Sequence, residues 1–285
     1  MYTFFKKFFN CCNSQQSINS YLSTNYVFTD NPNKFAITIG INYDDNDINS
    51  DDLYGCINDL NNINEFLLEK CNFTSSQIIS LCNTDATKEN IQKSILSMIN
   101  FSNNNPDAEL WFSFSGHGAQ KNSFIEKDGK TELICPVDYK TNGYISDNWL
   151  NSNLCNKLND SSKLFVLMDC CHSGSNLDLQ YNYVNNKVNS VGTHLTTKAN
   201  IIKISGCKDS QVSVDYFNSN DSEHQGVLTN AFLTTNHKSN KFSNRIKNIN
   251  KYLRSRNFNQ IPLLSFSKQN LLYWSLYDSN IELII

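Results

Sequence analysis

The chain has 285 residues, of which 39% are hydrophobic and 18% charged, with a formal net charge of −3. That length supports one sizeable core, and a balance so close to neutral excludes the basic footprint of a nucleic-acid binder. No apolar stretch approaches the roughly 20 residues of a membrane span, and the first residues lack the unbroken apolar segment and cleavage site of a secretory signal.

In chain order, residues 1–33 read as a short polar extension closed by Asn31-Pro32-Asn33. Within it, Phe4, Phe5, Lys6, Lys7, Phe8 and Phe9 precede Cys11 and Cys12, a basic aromatic segment able to touch a membrane and be acylated. A loose tail is the favoured expectation for it. The run Phe35 to Ile41 predicts a first strand. Ile57, Leu60, Ile63 and Leu67 recur at helical steps and predict a helix from about Gly55 to Lys70. A strand at Ile78 to Cys82 follows, then a helix through Ile91, Ile95 and Ile99 with Thr87 as its N-cap.

The next apolar run, Ala108 to Phe114, is followed by a polar loop from Ala119 to Lys130, a strand-like stretch from Leu133 to Asp138 and a helix near Trp149 to Leu158. Lys163 to Met168 predicts another strand. Residues 175–199 carry neither period and read as an exposed linker. Beyond it come a strand at Asn200 to Ser205, a helix near Val227 to Leu233, a helix through Leu253 and a strand near Leu263 to Phe266. This alternation predicts an α/β fold with a mostly parallel central sheet flanked by helices on both faces. Cys56, Cys82, Cys135, Cys155 and Cys207 read as small buried hydrophobes, and no Cys-x-x-Cys pair occurs. A reducing, cytoplasmic setting is expected.

Two strings carry chemistry: Ser115-Gly116-His117-Gly118, and Asp169-Cys170-Cys171-His172-Ser173-Gly174, whose second cysteine lies 54 positions after His117. Each follows an apolar run, where a buried parallel strand leads into a loop, the edge at which open α/β sheets bind ligands. One loop carries an imidazole and the other a thiol, the equipment of covalent acyl transfer. Taken singly, the first string is equally a glycine-rich turn around a satisfied histidine, and the second a metal-binding cluster or a buried thiol pair. Strand alternation turns Asp169 toward the side of Cys171 and Ser115 toward the side of His117, and turns Cys170 away.

Together, and in this order, the strings resemble those of metacaspases, cysteine peptidases of the caspase-like fold. The resemblance extends through Lys34 to Tyr43, Gly55-Cys56-Ile57-Asn58-Asp59, Pro136-Val137-Asp138, Ser205-Gly206-Cys207-Lys208-Asp209 and Gln260-Ile261-Pro262, covering roughly residues 34–268. It implies a peptidase domain over 34–285, with a large-subunit-like part at 34–174, the linker at 175–199 and a small-subunit-like part at 200–285. Cys171 then becomes the nucleophile and His117 its acid–base partner, with the N–H groups of Gly118 and Cys171 facing the oxyanion. His172 reads as a structural turn residue. Asp59 joins Ser115 and Asp169 in a substrate pocket, although it could instead cap or brace its helix. Two carboxylates in a partly desolvated pocket attract a guanidinium or ammonium and repel an aspartate, so cleavage after arginine or lysine is expected. The Gln-Ala-Cys-Arg-Gly string of true caspases is missing here.

For calcium, which metacaspases of the calcium-activated kind bind through scattered carboxylates, the matching positions are Thr131, Asp147, Asn148 and Asp178, two of them not acids, with Glu132 available to replace its neighbour. No organic cofactor and no long prodomain are expected. Lys187 and Lys198 in the linker are candidate self-cleavage points, or ordinary surface lysines. Expected partners are protein or peptide substrates, not nucleic acid. Two other readings stay open: a caspase-like scaffold whose site has decayed, and a thiol or metal protein built on Cys170, Cys171 and His172.

Overall fold

The computed structural model describes residues 33–44, 52–123, 129–171, 177–191, 197–206, 223–236 and 241–273, and the backbone of 215–218. The first half contains β1 (Lys34–Gly40), α1 (Cys56–Lys70), β2 (Ile78–Cys82), α2 (Lys88–Asn104), β3 (Glu109–Ser115), β4 (Gly118–Asn122), β5 (Lys130–Ile134), α3 (Tyr139–Asn142), β6 (Ile145–Ser146) and α4 (Asp147–Leu150). The second contains β7 (Lys163–Asp169), β8 (Tyr181–Val184), β9 (Lys187–Ser190), β10 (Asn200–Ser205), β11 (Asp215–Asn218), β12 (Glu223–Gly226), α5 (Val227–Thr235), α6 (Phe242–Ser255) and β13 (Leu263–Phe266).

Eight strands form the main sheet in the order β2-β1-β3-β7-β10-β13-β8-β9. The first five run parallel and the last three pair antiparallel. The runs in β1, β3 and β7 are continuously apolar because both faces of the sheet are covered. On one face Ile37, Ile39, Phe112, Phe114 and Val166 pack with Ile91, Ile95 and Met98 of α2. On the other, Ala36, Trp111 and Phe165 pack with Ile63, Phe66 and Leu67 of α1, Phe232 of α5 and Ile249 of α6. Thr87 caps α2 as expected, its hydroxyl accepting from the Asn90 N–H at 3.2 Å. Register brings three strand ends level: Gly40 lies opposite Ser115, and Ser115 opposite Asp169. Both chemical strings therefore leave the sheet side by side.

Four expectations need correction. The polar segment after Gly118 is not all loop, because β4 pairs antiparallel with β5, which pairs with β6 in a separate three-stranded sheet. The strand-like stretch from Leu133 stops at Ile134, beyond which Val137 and Asp138 form a turn. The helix near Trp149 begins earlier, as α4, and continues as a π-helical turn over Asn151–Cys155. The supposed linker contains the hairpin β8–β9, joined by Asn185 and Asn186 at φ 53° and 62°. Positive φ at both loop residues matches the twist of the paired strands, and β8 extends the main sheet by pairing with β13. Cys56, Cys135 and Cys155 are buried, whereas Cys82 is half-buried. Cys207 and the segment Phe4 to Cys12 lie outside the described residues. Among the described residues no helix is long and apolar enough to cross a membrane.

Candidate active site

The two glycines around His117 provide space. Neither belongs to the positive-φ glycines, which are Gly129 and Gly143 among the described residues. A Cβ on Gly118 would lie 2.0 Å from the Cys171 carbonyl oxygen and 3.2 Å from the Cys171 nitrogen. Only a residue without a side chain lets these two backbones touch. The Gly116 N–H reaches the Asp169 carbonyl at 3.4 Å, tying the first loop to the second. His117 and Cys171, both half-buried, thereby come to one corner of the sheet edge. Cys170 is fully buried and turned into the core, as alternation predicts. His172, Ser173 and Gly174 lie outside the described residues.

His117 is held from several sides. Its N–H donates to the Tyr43 hydroxyl at 3.0 Å, and its carbonyl accepts from the Cys135 N–H at 3.1 Å. The Tyr43 and His117 ring centroids are 4.5 Å apart. Burial, with a smaller contribution from Cys171, pushes the Cys135 thiol up to about 12. That thiol stays protonated.

Asp59, Ser115 and Asp169 converge as expected and are all buried. The Ser115 hydroxyl donates to Asp59 Oδ2 at 2.7 Å. The Gly226 N–H donates to both Asp59 oxygens, at 3.0 and 3.1 Å. Asp169 Oδ2 accepts from the Thr229 N–H at 2.8 Å and from its hydroxyl at 3.0 Å. Two buried carboxylates thus rest on the N-terminal turn of α5, where free N–H groups and the positive end of the helix dipole favour negative charge. A Cβ on Gly226 would meet Asp169 Oδ2 at 2.3 Å and Asp59 Oδ2 at 2.4 Å, so both carboxylates close on the same side of this glycine. A capping role for Asp59 is filled elsewhere: Asn42 Oδ1 accepts from the first N–H groups of α1, Cys56 at 3.1 Å and Ile57 at 3.2 Å. Gly226 and Thr229 were not singled out from the sequence. Their only local signal is a glycine directly before an apolar helical run.

The expected calcium positions are partly assembled. Glu132 and Asp147 are both buried and share a hydrogen bond, while Asp178 adds its charge nearby. Burial, followed by that bond, pushes the Asp147 carboxyl up to about 8. These hard oxygen donors suit calcium chemically. As they stand, however, no three Asp, Glu, His or Cys side chains among the described residues are grouped to hold a metal ion. Asn148 enters through its N–H, which donates to Asp147 Oδ1 at 2.6 Å, and Thr131 is buried in β5 opposite Lys121. Lys187 lies in the paired strand β9. Lys198 is exposed and lies 3.8 Å from Asp160.

Comparison with known proteins bears on this geometry. A family model described as metacaspase, peptidase C14 domain, matches residues 34–180. Metacaspase-1 of Plasmodium falciparum is 35% identical over 64% of this chain and 31% of its own length. Metacaspase-1 of Candida albicans is 28% identical over 82% of this chain and 65% of its own. Metacaspase-2 of Arabidopsis thaliana is 30% identical over 70% of this chain and 51% of its own. The chain therefore spans from about a third to just under two thirds of these relatives. A solved protein from Geobacter sulfurreducens shares the fold, with a TM-score of 0.62 at 21% identity over 86% of this chain and 98% of that one. The family match runs from β1 through the His117 loop to the Cys171 loop and beyond, the same path that builds the corner described above, and the chain belongs to the metacaspase family.

Proposed function

We propose that the protein is a cysteine endopeptidase that cleaves peptide bonds after arginine or lysine. The observation that carries this reading is the pair of buried carboxylates, Asp59 and Asp169, converging on Gly226, with Asp169 at the end of the strand that leads into Cys171. A substrate side chain that reaches this pair meets two carboxylates already supplied with hydrogen bonds, so a cation is attracted there and an aspartate repelled.

The chemistry then follows from the residues at the corner. The Cys171 thiolate attacks the carbonyl carbon of the scissile bond, and the oxygen that becomes negative faces the N–H groups of Gly118 and Cys171. His117, protonated by the thiol, delivers that proton to the departing amine as the C–N bond breaks. A thioester remains on Cys171. Water deprotonated by His117 then attacks it, releasing the carboxylate product and restoring the thiol.

Calcium, in this reading, acts on the corner from a distance. Glu132, Asp147 and Asp178 would hold it, the ion supplying positive charge where Asp147 otherwise keeps a proton. Self-cleavage within 175–199 is assigned to Lys198 ahead of Lys187, because the backbone around Lys187 is paired in a hairpin.

Fluorogenic peptides ending in arginine or lysine, assayed with and without calcium, test the proposal. Turnover is expected for both and not for an aspartyl peptide. Cys171→Ala abolishes it and Cys170→Ala retains it. Cleavage that survives in the Cys171 variant overturns the assignment.

A further inference from the structure

We propose that Tyr43 is the positioning residue of the acid–base group: its hydroxyl fixes the backbone of His117 and its ring fixes one face of the imidazole. The inference rests on the peptidase reading above and adds a member to its machinery.

Tyr43 lies three residues beyond β1 with φ at 59°, a left-handed conformation that costs a bulky residue energy. It is nonetheless buried, 6% exposed. Its hydroxyl accepts from the His117 N–H at 3.0 Å and donates to the Cys135 carbonyl at 2.6 Å. The ring lies 4.5 Å from the imidazole, at 33° between planes, and is backed edge-on by Tyr139 at 6.2 Å. Burial holds the phenol well above its usual range, so the hydroxyl keeps the proton it donates.

The surrounding sequence is fitted to this one side chain. A Cβ at Gly116 would come within 2.8 Å of the Tyr43 hydroxyl and 3.0 Å of the Phe114 ring, so the glycine before His117 makes room for both. The carbonyl that receives the Tyr43 proton belongs to Cys135, whose own N–H grips the His117 carbonyl at 3.1 Å. The hydroxyl thus closes a bracket around His117: Tyr43 holds the amide on one side, Cys135 the carbonyl on the other, and the two holders are bonded to each other. A backbone gripped at both ends under a close, tilted ring leaves the imidazole little freedom, which a proton shuttle requires to within a fraction of an ångström. The bonds that hold Tyr43 run to His117 and Cys135, whereas those on Asp59 and Asp169 run to Ser115, Gly226 and Thr229, so histidine placement and substrate binding can be tested apart.

The test is a comparison of full-length wild type, Tyr43→Phe and Gly116→Ala on an arginyl peptide, with thermal unfolding measured alongside. Tyr43→Phe keeps the ring and removes both hydrogen bonds, and Gly116→Ala keeps the tyrosine and crowds its hydroxyl most closely, with the Phe114 ring next. Each should lower kcat about tenfold or more while KM stays within about twofold. Iodoacetamide should alkylate Cys171 more slowly in both, since a misplaced imidazole stabilises less thiolate. Replacing Tyr43 by leucine should lose more than replacing it by phenylalanine. If folded Tyr43→Phe turns over like wild type, or if both variants change only the melting temperature, the positioning role is refuted. If Tyr43→Phe does not fold, Gly116→Ala alone decides by the same criteria. Failure of the wild type to cleave the arginyl and lysyl peptides would overturn the peptidase reading instead, a distinct outcome.

Discussion

Gly226→Ala would perturb the proposed cation pocket without adding or removing a charge. The new methyl would sit 2.3 Å from Asp169 Oδ2 and 2.4 Å from Asp59 Oδ2, whereas comfortable contact begins near ~3.4 Å. Each carboxylate must therefore retreat by about 1 Å. For a bound cation, a retreat from about 4 to about 5 Å at an effective dielectric constant of ~20 loses about 0.8 kcal/mol per carboxylate. Both together lose about 1.7 kcal/mol, or roughly fifteenfold in affinity. The Asp59 bonds to Ser115 and Gly226, and the Asp169 bonds to Thr229, would be stretched as well, so fifteenfold is a lower figure. Steady-state kinetics on an arginyl peptide should show the loss chiefly as a raised KM. Crowding should also cost the fold about 1–3 kcal/mol, measured by urea unfolding. Iodoacetamide, which does not use the pocket, should still alkylate Cys171 at the wild-type rate. If a folded Gly226→Ala protein keeps KM within twofold of wild type, the two carboxylates are not where the substrate cation binds.

Gly118→Ala should be more damaging to turnover, because its Cβ would lie 2.0 Å from a backbone oxygen of Cys171; active-site titration should find kcat lowered by ~100-fold or more. Thr229→Val removes the hydroxyl bond to Asp169 and leaves the N–H bond, so KM for arginyl peptides should rise about tenfold and Thr229→Ser should restore it. Asp147 titrates near 8 in the folded protein, against about 3.9 in an unfolded chain. Between those values the folded state binds the extra proton, so stability declines as pH rises toward 8. Melting temperatures measured from pH 5 to pH 8 should fall, Asp147→Asn should flatten the fall, and calcium added at pH 8 should reverse part of it.

Much of this architecture is legible from residue order alone, for identifiable reasons. β1, β3 and β7 are buried on both faces and so appear as unbroken apolar runs, and α1 and α2 bury one stripe each at helical spacing. His117 and Cys171 follow directly on β3 and β7, and alternation assigns the sides of Ser115 and Asp169 at the ends of those strands, whereas Asp59, inside α1, is placed beside them only by the family resemblance. The hairpin β8–β9 escaped because its strands are half-exposed and rich in asparagine, and its turn is Asn185-Asn186 rather than a pair containing glycine. β4 escaped for a similar reason, since Gln120, Lys121 and Asn122 bury no continuous face. Thr229 and Gly226 carry little local mark of their work beyond a glycine before an apolar helical run, because that work is done on side chains 60 and 167 positions away. Tyr43 is hidden differently: nothing in its neighbours announces a left-handed backbone, and only the fold reveals what its hydroxyl reaches.

The strand order has a consequence for a nicked chain. If the backbone were cut after Lys198, the C-terminal fragment would contribute β10 and β13, lying between β7 and β8 of the N-terminal fragment. The pieces would be laced together like interlocked fingers, with hydrogen-bonded ladders on both flanks of the inserted pair. Thr229 from one piece would still clasp Asp169 from the other. Cutting the chain would thus yield two polypeptides on a denaturing gel and one particle in solution.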